Sequence, residues 1–493
     1  MEATETVVVS AIINGEQVST ENQYPRENPA NPDEIVGYGP MNTREDAVRA
    51  IEAAAAAFPA WSQTPVQERI RRMQRAIEGL KAASDRLIPL LCREHGKPLY
   101  DAGGEMFVTT MWMEHACSIA EEALREQVSV HEAGKTIITR DPIGVISAIF
   151  PWNYPLALST IKIAPALLAG NTIVLKPSPY APLAVSQAIE IIANEFPPGV
   201  VNMVHGGADV GVELTTNPLV SKVAFTGGTV TGRSIMKSAA DTLKNVTLEL
   251  GGNDAAVILP EFNVDDERAM RRLVISNFLT AGQICMIAKR IYVHRSIHEK
   301  FIDRYVQAAN KWIRVGNPFN PDVTIGPVNN KRQLEYVQSL IRGAESHGAK
   351  VIPLGRILDP DLFERGYFMQ PTLVLPVDYD DPIVVEEQFG PTVPVLPYDD
   401  EEQVISLVNN SIYGLTSSVW GDEEHALQVA RRIQAGTTMI NTAAVQGLDV
   451  RFPFGGVKQS GIGREYGVEG LTAYTELHVI NIPAHGELPN IPE

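Results

Sequence analysis

Val145-Ile146-Ser147-Ala148-Ile149-Phe150 runs directly into Pro151-Trp152-Asn153-Tyr154-Pro155. The first half is almost continuously apolar, as a strand covered on both faces should be. The second half is a proline-bounded turn that carries an amide side chain. Similar short apolar runs follow at 173–175, 200–204, 223–226 and 246–250, with a helical pattern over 185–193 between them. Strands alternating with helices imply a parallel, doubly wound sheet. Such sheets bind ligands at the carboxyl ends of their strands. Asn153, Lys176, Gly227 and Glu249 all fall at or just after a strand end, which makes them candidate site residues.

A second alternating region begins after Gly251-Gly252. Runs at 255–259, 290–293, 392–397 and 437–440 read as strands, and 299–312, 332–346 and 402–409 as helices. On the amino-terminal side, residues 1–40 look irregular, broken by Pro25, Pro29, Pro32 and Pro40. Thr43 with Asp46 resembles a helix cap, and the alanines of 53–57 propagate that helix. Another helix starts near Pro65, its apolar face given by Ile70, Met73, Ile77 and Leu80. Further helices follow Ser84 and cover 105–122. This helical layer shows no evident chemistry of its own. Between Gln127 and Arg140, apolar residues alternate around Gly134, a hairpin pattern. It is either an arm that pairs with another subunit or a local excursion. The tail after Gly470 is short, strand-like at Val479 and Ile480, and ends rich in proline.

The 493 residues exceed one hydrophobic core, so two or three domains are expected. With 44% hydrophobic and 20% charged residues the chain reads as a soluble globular protein. A net charge of -18 argues against a nucleic-acid surface or a basic membrane patch. No apolar run approaches the roughly 20 residues needed to cross a bilayer. Three cysteines do not make a disulfide framework, and the acidic start Met1-Glu2-Ala3-Thr4-Glu5 is unlike a targeting segment. A cytoplasmic location is therefore expected. None of the ten histidines forms a ligand spacing such as H-E-x-x-H, so a metal hydrolase is set aside and no metal is expected.

Chemistry concentrates in a few stretches. Gly282-Gln283-Ile284-Cys285 presents a cysteine on a glycine turn. Phe225-Thr226-Gly227-Gly228-Thr229-Val230-Thr231-Gly232 follows a strand and opens a helix, where backbone N–H groups can approach a phosphate. Its spacing is not the usual G-x-G-x-x-G. Leu248-Glu249-Leu250-Gly251-Gly252 puts a carboxylate among apolar neighbours, where desolvation raises its pKa and suits it to act as a base. Lys176-Pro177-Ser178 ends another strand. Glu386-Glu387-Gln388-Phe389-Gly390-Pro391 and Pro453-Phe454-Gly455-Gly456 are two further acidic or aromatic glycine loops.

Together, and in this order, these motifs resemble the NAD(P)-dependent aldehyde dehydrogenase superfamily over nearly the whole length. The resemblance implies an α/β fold of two doubly wound parallel-sheet domains plus a β oligomerisation arm. It implies a cofactor-binding domain of residues 1–123 and 143–250, a catalytic domain of 251–455, and an arm of 124–142 and 471–493. The activity implied is oxidation of an aldehyde to a carboxylic acid with NAD or NADP. Cys285 would attack the carbonyl, Asn153 and the Cys285 N–H would hold the oxyanion, and Glu249 would serve as base and later activate water against the thioester. Phe150, Trp152, Lys176, Ser178, Pro179, Gly227, Gly228, Thr229, Gly232, Leu250, Glu387 and Phe389 would meet the cofactor. Tyr154, Leu158, Ile161, Leu279, Ile284, Met286 and Phe454 would line the substrate tunnel, which suggests a medium aliphatic or aromatic aldehyde. Should Arg451, beside Asp449, point inward, a carboxylated semialdehyde becomes the alternative. A catalytically silent scaffold is a further rival, because fold alone never establishes activity; intact Asn153, Glu249 and Cys285 argue against it. A homodimer or homotetramer is implied. Three positions depart from the family pattern: Pro179 where many NAD-preferring members have Glu, Gly228 where serine is usual, and Asn253 where lysine is usual. The first leaves NADP tolerated and the cofactor preference open.

Overall fold

The computed structural model describes residues 6–484. The acidic opening and the proline-rich end lie outside the described residues.

Two large sheets organise the chain. In the first, five parallel strands stand in the order Asn245–Glu249, Val220–Thr226, Val145–Ile149, Thr172–Lys176, Val201–Met203. The order reverses between Val145–Ile149 and Val220–Thr226, so the two chain exits there diverge and leave a crevice. Their residues are nearly all buried, which is why the sequence reads as unbroken apolar runs rather than alternation. Full burial of each such Val, Ile or Leu contributes about 1.5–3 kcal/mol before conformational entropy is counted. Gly461–Ile462 closes one edge antiparallel to Asn245–Glu249, with Gly461 opposite Glu249. A Cβ on Gly461, at φ +148°, would sit 2.0 Å from the Leu248 carbonyl oxygen, so this approach needs glycine.

The second sheet runs Lys350–Pro353, Thr372–Leu375, Thr392–Tyr398, Ala288–His294, Asp254–Ile258, Thr416–Trp420, Thr437–Ile440, parallel except at its first strand. A third sheet pairs the hairpin Gln127–His131 and Gly134–Pro142 with the carboxy-terminal strand Thr475–Pro483. It exposes Val128, Val130, Leu477, Val479 and Ile482.

The amino-terminal stretch corrects one expectation. Residues 7–40 are not irregular: Val7–Val8, Asn31–Pro40 and Gln23–Asn28 form a small sheet, and Ala11–Ile13 with Glu16–Val18 extend the first large sheet. The prolines are tolerated because Pro25 is on an edge strand, Pro32 and Pro40 lie at strand ends, and Pro29 is in the turn between. Four helices follow, Arg44–Ser62, Val66–Ala82, Ser84–His95 and Leu99–Ala123. Thr43 and Asp46 form the expected reciprocal cap on the first. The fourth starts six residues before position 105, as Gly103-Gly104 obscures a helix that Pro98 in fact opens.

Candidate active site

The helix Glu267–Phe278 ends in a turn whose Thr280, Ala281 and Gly282 all have positive φ. Side-chain hydrogen bonds pin the turn. Thr280 Oγ1 donates to Asp101 at 2.6 Å, Gln283 Nε2 donates to the Thr280 carbonyl, and Gln283 Oε1 accepts from Asn329 N–H. Gly282 has no room for a side chain: a Cβ would meet the Gly390 carbonyl oxygen at 2.2 Å and Lys289 Nζ at 2.5 Å. Cys285 emerges half-buried from this turn. Burial pushes its thiol well above the ordinary range, helped by the carboxyls of Glu249 and Glu387. At neutral pH the resting sulfur is therefore protonated.

Asn153 reaches the same point from the first sheet. Its Nδ2 donates to the Gln283 carbonyl at 2.9 Å, which leaves the second N–H free. Its own carbonyl accepts from Lys97 Nζ at 2.8 Å. Lys97 is fully buried against Glu105 at 2.5 Å, and its ammonium stands 3.8 Å over the Tyr154 ring. Glu105 Oε1 also accepts from the Leu156 and Ala157 N–H groups, which caps the helix Pro155–Ala169 with a charge from another helix. Asp101 accepts from both Tyr154 and Thr280 hydroxyls.

Glu249 lies at the end of its strand, 4% exposed, with Oε1 lacking a hydrogen-bond partner. Burial first, and then the charge of Glu465, hold its carboxyl well above the usual range. Glu465 in turn pairs with buried Lys162 at 2.5 Å, and Lys162 also donates to Thr226 Oγ1. Such a carboxyl, biased toward its neutral form and with one oxygen unpartnered, can exchange a proton with a neighbouring thiol or water.

Two cavities meet at the cysteine. One, of about 290 Å³, is lined largely by apolar groups and includes Trp112, Tyr154, Leu158, Leu279, Ile284, Met286, Phe454 and Tyr466. The other, of about 530 Å³, lies in the crevice where the strand order reverses. Asn153, Thr226 and Cys285 line both. The second cavity fits a dinucleotide. Gly228 caps the helix Thr229–Ala240 with no side chain, so the first N–H groups of that helix are unclaimed, and a Cβ on Gly228 would touch nothing. Trp152 and Phe389 pack edge to face against each other on the cavity wall, ring centroids 5.5 Å apart. Glu387, its carboxyl pushed up to about 7 by burial, accepts from Gly252 N–H at 3.0 Å.

Of the residues singled out by sequence, Asn153, Glu249, Cys285, Trp152, Gly227, Gly228, Thr229, Leu250, Glu387 and Phe389 line one or both cavities. Ile161 does not join the tunnel residues. It sits two turns along its helix from Tyr154 and lines a small crevice with His115 and Val450. Gly232 lets the helix approach Leu250, whose Cδ2 would lie 2.4 Å from a Cβ there. Phe150 packs into the first core. Lys176 ends its strand, pKa lowered to about 8 by burial, and Ser178 Oγ accepts from Tyr180 N–H, shaping the turn that carries Pro179. Asn253 gains an explanation: its Nδ2 donates to the Val384 carbonyl and its carbonyl accepts from Arg290, bracing the loop before Glu387. Arg451 is exposed and paired with Asp449, away from both cavities. Missed altogether were Lys97, Asp101, Glu105 and Trp112 of the helical layer, and Lys162, Glu465 and Tyr466. The signal available was an aspartate and a glutamate at 101 and 105, four apart and thus on one helix face, with a lysine at 97 just ahead of the helix.

The model of the aldehyde dehydrogenase family matches residues 16–480. The glutarate-semialdehyde dehydrogenase of Pseudomonas putida is 35% identical over 96% of this chain and 97% of its own. The NADP-dependent succinate-semialdehyde dehydrogenase GabD of Escherichia coli is 35% identical over 95% and 96%. The crystal structure of betaine aldehyde dehydrogenase from Staphylococcus aureus with NAD+ superposes with a TM-score of 0.91 at 34% identity, covering 98% of this chain and 96% of that one. The chain belongs to the aldehyde dehydrogenase family. Its class is that of the NAD(P)-dependent oxidoreductases that act on aldehydes.

Two predictions follow from this geometry. Lys97→Met leaves Glu105 buried without its cation, and should lower stability by about 3–5 kcal/mol, read as a lower denaturant midpoint; an unchanged midpoint would show that the pair does not organise the site. Because both the thiol and the Glu249 carboxyl are shifted up, ionisation is favoured by raising pH. The rate kcat/KM should therefore climb through and above neutrality. Glu249→Gln removes one negative neighbour, so this limb should move to lower pH in a stopped-flow assay of the first turnover.

Proposed function

We propose that this protein oxidises an uncharged medium aliphatic or aromatic aldehyde to the free carboxylic acid, with NAD or NADP as acceptor. The observation that carries this reading is the position of Cys285 at the meeting point of an apolar cavity and a dinucleotide-sized one. An aldehyde entering from the first presents its carbonyl carbon to Sγ. The free Asn153 N–H and the Cys285 backbone N–H hold the oxygen that becomes negative. The thiol proton passes to Glu249, directly or through water. The helix end at Gly228, Glu387 and the paired rings of Trp152 and Phe389 would hold a nicotinamide cofactor in the second cavity, which would supply the hydride acceptor. After hydride transfer Glu249 gives the thiol proton up to solvent; it then takes a proton from the water that attacks the thioester carbonyl and passes it to Cys285, which leaves as the thiol.

A carboxylated semialdehyde is the less favoured substrate, although two relatives bear such names. Among the described residues no Arg, Lys or His lines the substrate cavity, and Arg451 is paired with Asp449 outside it. Residues 1–123 with 143–250 read as the cofactor domain and 251–455 as the catalytic domain, supported by the two separate sheets. The exposed apolar residues of the three-stranded sheet support an arm, 124–142 and 471–493, that pairs between copies in a homodimer or homotetramer. The described part of this arm ends at residue 484. Among the described residues no helix is long and apolar enough to cross a membrane. Three free cysteines support a reducing, cytoplasmic setting.

Absorbance at 340 nm with a panel of aldehydes and both cofactors tests the reading. Wild type should reduce cofactor and Cys285→Ala should not; equal rates in the two would overturn it. Asn153→Ala should lose on the order of 10²–10³ in kcat. Glu249→Gln should slow steady-state turnover by about 10²–10⁴. Added coenzyme A should leave the free acid as product.

A further inference from the structure

Tyr466 holds a backbone conformation that a side chain seldom takes. Its φ of 61° and ψ of 168° fall in a region populated essentially by glycine. The chain is fixed on both sides of it. Before it, Glu465 and Phe454 exchange both backbone hydrogen bonds, at 2.7 and 2.8 Å. After it, Gly467 N–H donates to the Val450 carbonyl and Gly470 N–H to Tyr466 itself. What the strained backbone achieves is the placement of a ring. The Tyr466 ring meets Trp112 at 4.8 Å and 66°, and Phe454 at 5.9 Å and 65°. All three line the cavity that ends at Cys285.

We infer that Trp112, Phe454 and Tyr466 form an aromatic slot that selects aldehydes carrying an aryl group next to the carbonyl, with Tyr466 as the specificity-determining residue. This deepens the proposed function and rests on it for the reaction. Three rings tilted toward one another from separate segments offer faces and edges to an entering ring, the geometry aromatic groups prefer. Asp101 is held by two hydroxyls, Glu105 by Lys97, and Glu465 by Lys162. Among the described residues no cation lines the slot, so an anionic tail finds no partner there, and an uncharged aldehyde is recognised by the rings. Leucine at 466 keeps the apolar volume and removes the ring, whereas phenylalanine keeps the ring and removes only the hydroxyl.

The test compares benzaldehyde with hexanal. Wild type should favour benzaldehyde in kcat/KM, Tyr466→Phe should keep that preference, and Tyr466→Leu should lose roughly tenfold on benzaldehyde while hexanal changes little. Equal losses on both aldehydes, or no loss on either, would overturn the inference. Binding measured by tryptophan fluorescence in a Cys285→Ala background separates the slot from the chemistry. Tighter binding of benzaldehyde than hexanal that disappears on adding Tyr466→Leu supports the slot even where no turnover is found. Equal binding of the two aldehydes in Cys285→Ala alone overturns it whatever the turnover shows.

Discussion

The site hangs on one dry ion pair. Lys97 and Glu105 are both removed from water, a costly arrangement unless every remaining donor and acceptor is used. They are used outward, toward the reacting groups. Lys97 holds the Asn153 carbonyl, and Glu105 holds the start of the helix that follows it. Asn153 then holds the Gln283 carbonyl, two residues before the cysteine. A continuous run of hydrogen bonds thus leads from the amino-terminal helices, through the first sheet's strand end, to the turn that aims the thiol. Moving any member by an ångström would misplace the free Asn153 N–H relative to Sγ, and catalytic geometry tolerates little of that.

The same economy shapes the local electrostatics. Four carboxyls, Asp101, Glu105, Glu249 and Glu465, line a largely apolar cavity. Three are neutralised or fully hydrogen-bonded by Lys97, Lys162, Tyr154 and Thr280. Glu249 alone of the four is paired with no cation or hydroxyl among the described residues and keeps a buried oxygen without a partner. The structure therefore isolates one carboxyl for proton traffic and silences its neighbours.

What was legible in the sequence was what the parallel sheet announces. Runs such as 145–149 are apolar throughout because both faces are covered, and their ends mark where Asn153, Gly227 and Glu249 must open into the crevice. The cysteine turn was legible as a glycine beside a rare thiol, and the cap at Thr43 as a local pattern. The helical layer hid its contribution for a physical reason. A carboxylate on an amphipathic helix normally faces water, and nothing local says that Asp101 and Glu105 face another helix instead. Ile161 was assigned to the tunnel because it shares a helix face with Tyr154, but two turns of rise, about 10 Å, carry it on to a neighbouring crevice. The prolines of 25–40 made the stretch look irregular because their edge and end positions depend on strand order, which only the assembled sheet defines.

The closeness of Cys285 and Glu249 also bears on the order of events along the proposed route. Two groups that would both be negative, in one poorly solvated place, cannot both ionise cheaply, and the Glu249 charge raises the Cys285 thiol. The pair therefore behaves as holding one proton between them when the sulfur attacks, the proton moving to the carboxyl rather than to solvent. Once the sulfur is bonded to the acyl carbon its charge is gone. Burial and the Glu465 charge still hold the carboxyl up, but no negative sulfur now adds to them, so Glu249 is easier to ionise at the step where water must be activated. The change of role from proton acceptor for the thiol to base for water needs no second residue. It follows from consuming the one negative charge that Glu249 faces at Cys285.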